Sequence, residues 1–351
     1  MVDLRELLVL AVDSKASDLH LTEGSPPILR IDGNLVRTEY PVLKGPDLKR
    51  SIYAVLSDAQ REKFERELEL DFSLAVEGMD RFRVNVHLQR GFVEAAMRRV
   101  DSKIPPITSL GFPPIVMEFI HKQEGLILVT GPTGSGKSTS LASMIQLINE
   151  ESACNIIMIE DPIEYVHTNK KSIIKQREVY SDTKSFAEAL KRCLRQDPDV
   201  IVVGEMRDLE TIQTTLTAAE TGHLVLATLH TPDAAQTIER IIDVFPGHQQ
   251  QQVRLQLSGC LQGIISQRLL NRAKGKGRVL ATEVLVATPA VRNLIREKAL
   301  EQIPTAIQTG FQHGMHTMDM CLKDLYIKGI IAMEEVMLHA KHPEELKHYL
   351  G

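Results

Sequence analysis

The stretch GPTGSGKST, residues 131–139, decides the fold; it lies between the apolar run LILVT, residues 126–130, and a helical pattern that begins at Lys137. The spacing G-x-x-x-x-G-K-S needs glycines at Gly131, Gly134 and Gly136, because the backbone must close round phosphate oxygens and turn its N–H groups inward, where a Cβ would obstruct them. Thr133 and Ser135 complete the loop. Lys137 supplies charge to the β- and γ-phosphates of ATP, and the Ser138 hydroxyl completes the shell of a Mg2+ ion. Thr139 follows in the first turn, where the positive end of the helix dipole favours an anion. After it, Leu141, Met144, Ile145 and Ile148 recur at i, i+3, i+4 and i+7, the apolar stripe of a helix. Strand, loop and helix therefore stand in the order that phosphate binding requires.

Outward from the loop, near-continuous apolar runs at 126–130, 155–159, 200–203 and 224–229 read as strands covered on both faces. Between them, Phe186, Ala189, Leu190 and Cys193 mark one helix, and Leu209, Ile212, Leu216 and Ala219 another. The alternation predicts an α/β domain with a parallel sheet, which binds ligands at the carboxyl ends of its strands. The residues that end those runs are the candidates for chemistry. Glu160 and Asp161 end one run, and Glu164 follows across Pro162; an acid here can orient or deprotonate the attacking water, or the group is a solvated Asp-Pro turn. Glu205, after Gly204, takes the position of an acid near Mg2+, or else caps the helix near Asp208. His223 and His230 bracket the next run. Thr231 reads as the cap of a helix with Pro232 in its first turn, and His230 stands where it can hydrogen-bond a γ-phosphate.

The amino-terminal part is of another kind. Leu4, Leu7, Leu8 and Val12 share a helical face, and SDLHLTEGSPPILRIDGNLVR reads as two short strands with a turn at Asp32-Gly33. A helical pattern at 58–68 leads into the alternating segment DFSLAVEGMDRFRVNVHLQRGFVEAAMRRV, a half-buried sheet. Two proline pairs in DSKIPPITSLGFPPI, residues 101–115, mark the junction and a candidate hinge. The expected organisation is an α+β domain over 1–100, a proline-rich linker over 101–115, an ATPase core over 116–270 and a mostly helical subdomain over 271–351. That last part opens with the basic turn NRAKGKGR and a strand.

With 351 residues the chain holds two domains, and 41 Lys and Arg against 46 acids give a net charge of −5. A nucleic-acid partner is not favoured, since 4% aromatic residues and no Trp cannot line a basic stacking channel. The scattered Cys154, Cys193, Cys260 and Cys321 form no metal or disulfide framework and fit a reducing compartment. No apolar run approaches the roughly 20 residues that span a bilayer, and the acidic start differs from a signal peptide. A cytoplasmic location is expected.

Taken together, GPTGSGKST, IEDPIEYVH, RQDPDVIVVGEMRD and AETGHLVLATLHT resemble the Walker A, Asp box, Walker B and His box of the secretion ATPase superfamily. SDLHLTEGSPPILRIDG and AVRNLIRE, residues 290–297, resemble the opening and the carboxy-terminal signature of its type IV pilus retraction (PilT) family. The resemblance implies a PAS-like first domain, a RecA-like P-loop ATPase domain and a homo-hexamer. It implies that Glu164 is the catalytic glutamate, Glu160 its Asp-box partner, Glu205 the Walker B acid and His230 the phosphate-facing histidine. It further implies that arginines of the first domain reach a neighbour's ATP. Arg81, Arg83 and Arg90 are the candidates, with Arg98 and Arg99 beyond; each can also be an ordinary solvated strand residue. In AVRNLIRE, Val291, Leu294 and Ile295 form an apolar stripe, with Arg292, Arg296 and Glu297 facing away.

The expected function is a Mg-dependent ATPase motor for pilus retraction and twitching motility. It would act through the inner-membrane platform protein at the cytoplasmic face, with membrane association through that partner and no transmembrane segment. The alternatives are the accessory paralogous retraction ATPase and the assembly or type II secretion ATPase. The resemblance gives the assembly class an additional amino-terminal domain and a four-cysteine site, neither of which these residues carry. From other classes stand a RecA-like nucleic-acid translocase and a nucleotide-dependent regulatory module.

Overall fold

The computed structural model describes residues 3–31, 33–75, 81–100, 103–275 and 277–350, which divide into two compact units. The first comprises Met1–Lys103 and Pro162–Val166, the second Ile104–Asp161 and His167–Gly351.

The first unit carries helix α1 (Leu4–Asp13), strands β1 (Asp18–Leu21), β2 (Ile28–Ile31) and β3 (Asn34–Arg37), helices α2 (Gly45–Tyr53) and α3 (Asp58–Glu67), and strands β4 (Glu69–Ala75), β5 (Arg81–Gln89) and β6 (Phe92–Val100). They form a six-stranded antiparallel sheet in the order β3-β2-β1-β6-β5-β4. The period-two pattern sends Leu19, Leu29, Phe72, Phe82, Val84 and Met97 to one face, where Leu7, Leu8, Leu48 and Phe64 of the helices cover them. α1 is capped by Asp3, which accepts from Arg5 N, and α3 by a capping box of Ser57 and Gln60. The stretch expected to give two strands gives three, because β2 is followed by a second short strand; Asp32 of the expected turn lies outside the described residues. α2 escapes the sequence reading because its buried Leu48 and Ile52 are too few to show a period.

The second unit continues with α4 (Ile115–Ile120), β7 (Gly125–Thr130), α5 (Lys137–Glu151), β8 (Asn155–Glu160), β9 (Ile173–Glu178), α6 (Phe186–Cys193), β10 (Val200–Val203), α7 (Leu209–Glu220), β11 (Leu224–Leu229), α8 (Ala234–Asp243), α9 (Gly247–Cys260), β12 (Leu261–Asn271) and β13 (Arg278–Val286). Its remaining helices are α10 (Pro289–Arg296), α11 (Ile303–Thr309), α12 (Met318–Ile327), α13 (Met333–His339) and α14 (Pro343–Leu350). The seven-stranded sheet runs β13-β12-β7-β11-β10-β8-β9, parallel throughout except that β13 pairs antiparallel with β12. Alternate residues of the central strands enter two cores. Leu126, Ile157, Ile201 and Val225 face α6 to α11, whereas Ile127, Met158, Val202 and Leu226 face α4 and α5. Burial on both faces is why these strands are apolar without alternation.

Three expectations are corrected here. The cap of α8 is Asp233, which accepts from Gln236 N, while Thr231 instead meets Thr237 through their hydroxyls. Glu205 caps no helix, since Asp208 itself accepts from Thr211 N at the start of α7. Arg292 does not face away: it is half-buried and donates to the carbonyls of Ala287, Ser258 and Gly259, holding the carboxyl end of α9. In the proline-rich stretch, Ile107 is buried in the second unit's core and Pro105 O accepts from Ser143 Oγ at 2.7 Å. Residues 101 and 102 lie outside the described residues.

Candidate nucleotide site

The loop between β7 and α5 is built for close approach. Gly131 has φ 143°, and a Cβ there would lie 2.3 Å from Gln267 O; Gly134 and Gly136 also have positive φ, at 80° and 89°. Only glycine adopts these angles without strain. Helix α5 begins after Gly136 with no side-chain cap, so its first-turn N–H groups are left for an anion, aligned with the positive end of the helix. Lys137 Nζ folds over the loop and donates to Gly131 O at 2.8 Å and Pro132 O at 3.1 Å. Ser135 Oγ is buried with no hydrogen-bond partner, while Ser138 is exposed at the helix start. Unsatisfied buried polar atoms are rare, and a loop of inward N–H groups with an orphan hydroxyl suits a phosphate.

Neighbouring strands supply the reactive groups at the same sheet edge. Glu205 follows β10, His230 follows β11, and the two meet at 3.3 Å through His230 Nε2. His230 Nδ1 reaches Thr133 Oγ1 of the loop at 3.4 Å, so a line of polar contacts runs from the phosphate loop to the strand-end acid. Arg207 Nη2 holds the other oxygen of Glu205 at 2.7 Å. Burial raises the Glu205 pKa, but the Arg207 hydrogen bond and the His230 and Arg207 charges outweigh it, and the carboxylate stays ionised below its ordinary range. Gly204 lies so close to β8 that a Cβ would stand 3.1 Å from Ile159 O, and its own carbonyl accepts from Thr228 Oγ1.

The Asp-box acids are held separately. Glu160 Oε1 accepts from Gln176 Nε2 of β9 at 2.9 Å. Glu164 belongs to the segment grouped with the first unit, where Arg83 Nη1 lies 3.3 Å from its Oε1. Both partners are over a third exposed, so water screens the pair and it holds at most about 1 kcal/mol. Arg81 and Arg83 lie at the start of β5, on one face, but Arg90 sits in the β5–β6 turn, about 23 Å further along an extended strand. The structure therefore brings Arg83 to Glu164 and keeps Arg90 away from both. Arg98 is held by Asp18 at 2.9 Å. His223 precedes β11, at the edge opposite His230, and its Nδ1 meets Ala218 O at 3.0 Å.

Sequence reasoning missed the support behind the loop. Gln267 of β12 is fully buried; its Nε2 donates to Ser135 O at 2.7 Å and its Oε1 accepts from Ser140 Oγ at 2.9 Å. Thr130 and Ser266 join hydroxyls across β7 and β12 at 2.8 Å. Behind His230, the buried Glu283 accepts from Ala234 N at 2.9 Å; burial pushes its pKa up, opposed by that backbone bond. No local pattern marks these residues, because their roles exist only once β12 pairs with β7. Among the described residues, no cluster of three or more His, Cys, Asp or Glu side chains could hold a metal. A Mg2+ site needs none, since this ion takes one or two protein ligands and completes its shell with phosphate and water.

A mostly parallel sheet carrying this loop on an inner strand, with a histidine after the next strand and an acid after the one beyond it, defines a P-loop nucleoside triphosphatase. The family described as Type II/IV secretion system protein matches residues 2–338. The chain belongs to that family and is an ATPase of the PilT type. It is 50% identical over 343 residues to the type IV pilus retraction ATPase PilT of Pseudomonas aeruginosa, covering 98% of this chain and 99% of that one. A twitching motility protein of Neisseria gonorrhoeae is 47% identical over 320 residues, covering 91% and 86%. The crystal structure of the pilus retraction motor PilT with bound ADP matches with a TM-score of 0.94 at 52% identity, covering 99% of this chain and 100% of that one. No helix among the described residues is long and apolar enough to cross a membrane.

Proposed function

We propose that this ATPase is the motor of type IV pilus retraction, a ring of six subunits that works at the cytoplasmic face of the inner membrane against the pilus platform protein. The observation that carries the chemistry is the line Thr133–His230–Glu205 beside Lys137, which ties the phosphate loop to a strand-end acid across the sheet. Retraction rests on the likeness to PilT along almost the whole chain.

In this reading Gly131, Thr133, Gly134, Ser135 and Gly136 wrap the phosphates with backbone N–H groups, Lys137 balances their charge, and Thr139 closes the first turn. Ser138 and Glu205 would hold Mg2+, which when bound supplies positive charge at the phosphates. Glu164, with Glu160 in support, takes the proton of the attacking water. His230 registers the γ-phosphate and passes its loss to Glu205 and Arg207. Arg83, with Arg81 on the same strand, adds positive charge at a neighbouring subunit's phosphates; the exposed Arg83–Glu164 pair is weak enough to be exchanged for that contact. The domains are a PAS-like unit over 1–100, a proline-rich linker over 101–115, a RecA-like core over 116–270 and a helical subdomain over 271–351. Hydrolysis moves the ring because nucleotide binds open and closed geometries with different affinity.

Deleting the gene in its host tests the direction of force: fibres that persist and never shorten are expected, and a cell without fibres would overturn retraction in favour of assembly. Glu164→Gln is expected to keep ADP affinity and lose most turnover.

A further inference from the structure

Glu164 rides on a short excursion of the chain. Strand β8 ends at Glu160, the segment Pro162–Val166 groups with the first unit, and the second unit resumes at His167. No helix or strand falls between Glu160 and Ile173, so the excursion has no internal ladder to hold its shape. Where Glu164 stands is then set by how firmly the scaffold holds the two ends.

Both ends meet one side chain. Gln176 of β9 accepts from the backbone N–H of His167 at 2.9 Å through Oε1 and donates to Glu160 Oε1 at 2.9 Å through Nε2. The orientation of the amide is forced, because a backbone N–H only donates: the oxygen must face His167, and the NH2 group must face the carboxylate. β8 and β9 pair in parallel with Met158 opposite Gln176, so Gln176 and Glu160 project from the same face of the sheet on neighbouring strands. The returning chain is held a second time by the helix that follows the phosphate loop. Asn149 of α5, fully buried, donates through Nδ2 to Thr168 O at 2.8 Å and accepts at Oδ1 from Lys170 N at 3.0 Å. The exit, the return and α5 are thus joined through two amides. The charged groups around Gln176 are Glu160 and, two residues along β9, the buried Glu178, while Lys170 and Glu150 on the return and α5 pair with each other. Burial depresses the pKa of His167 to about 4, which leaves its imidazole neutral near pH 7.

We propose that Gln176 is the positioning residue of the Asp box: it ties the exit of the excursion to its return and so fixes where Glu164 meets the attacking water. The proposal rests on Glu164 acting as the base in the reading above. Removing the amide frees Glu160 to turn and lets the foot of the excursion open, and a base displaced by about 1 Å costs on the order of a hundredfold in rate. Nucleotide binding draws little on this tie, since the phosphate loop is braced from the other side of β7 by Gln267 of β12.

Steady-state ATP hydrolysis and ADP titrations on the purified full chain test this. Gln176→Ala is expected to lower kcat about ten- to a hundredfold while ADP affinity stays within about threefold of the parent. Gln176→Glu is the more discriminating variant. It keeps the bond from His167 N, and so folds even where the alanine variant does not, but it sets a second oxygen against Glu160 where the NH2 group stood. Two carboxylates that close cannot both stay ionised, and a shared proton restores the hydrogen bond. The ratio of its kcat to the parent's is therefore expected to rise about threefold or more from about pH 8 to about pH 6. A Gln176→Ala chain with kcat within about twofold of the parent would overturn the proposal, as would an ADP affinity that falls as far as kcat. A Gln176→Glu ratio that stays flat with pH would overturn it too. Glu164→Gln is run beside them: if it hydrolyses ATP as the parent does, the assignment of the base falls, whereas an inactive Glu164→Gln beside a fully active Gln176→Ala refutes the tie alone.

Discussion

Gln267→Ala is the sharpest test of how the phosphate loop is held. The side chain is 1% exposed and makes both of its bonds to the loop and helix α5, at 2.7 Å to Ser135 O and 2.9 Å from Ser140 Oγ. Both Ser135 and Ser140 are buried as well, so truncation leaves a carbonyl and a hydroxyl without partners where water does not reach. Each orphaned group costs about 1–2 kcal/mol, so the two together give a local loss of roughly 2–4 kcal/mol. Because a tenfold change corresponds to about 1.4 kcal/mol, hydrogen exchange of the amides over 131–140 should quicken about thirty- to several-hundredfold. Strands β8 and β10 should keep their protection. ADP affinity should fall with it, since the loop must be ordered again on binding. Exchange within about threefold of the parent, with unchanged ADP affinity, would refute the claim that β12 braces the loop.

Gly131→Ala should abolish nucleotide binding in a calorimetric titration while the first unit's melting is untouched, because the new Cβ would lie 2.3 Å from Gln267 O at φ 143°. His167 makes stability depend on pH: burial depresses its pKa from the ordinary 6.5 to about 4. Between those values the unfolded chain binds a proton that the folded chain does not, so its stabilisation is complete above about pH 6.5 and lost progressively as pH falls towards 4, by roughly 3 kcal/mol in all. Urea unfolding of His167→Gln should show a flatter pH dependence over that window than the parent. Arg292→Ala removes the donors at three carbonyls around the end of α9 and should lower the second unit's stability by about 2–3 kcal/mol, read by thermal unfolding, with Arg296→Ala nearly silent.

Local sequence determined a good deal of this protein, wherever its signal is short in range. The strand runs 200–203 and 224–229, the start of α5 at Lys137 and the phosphate loop between strand and helix were all legible, because burial on both faces and the glycine spacing each write themselves into a few consecutive residues. Glu205 and His230 were legible as candidates for the same reason: a polar residue that ends a buried run stands at the ligand edge. Partnership was not legible. That His230 touches both Thr133 and Glu205, that Arg83 holds Glu164 and that Arg292 grips the end of α9 all depend on residues 25 to 97 positions apart in the chain. β12 was missed altogether, since its mixed polar and apolar residues show neither alternation nor a clean apolar run. Pairing with β7 decided which of them are buried, and so turned an unremarkable glutamine into the brace of the loop. Local patterns report what each residue must hide from water; only the folded sheet decides which residues hide together.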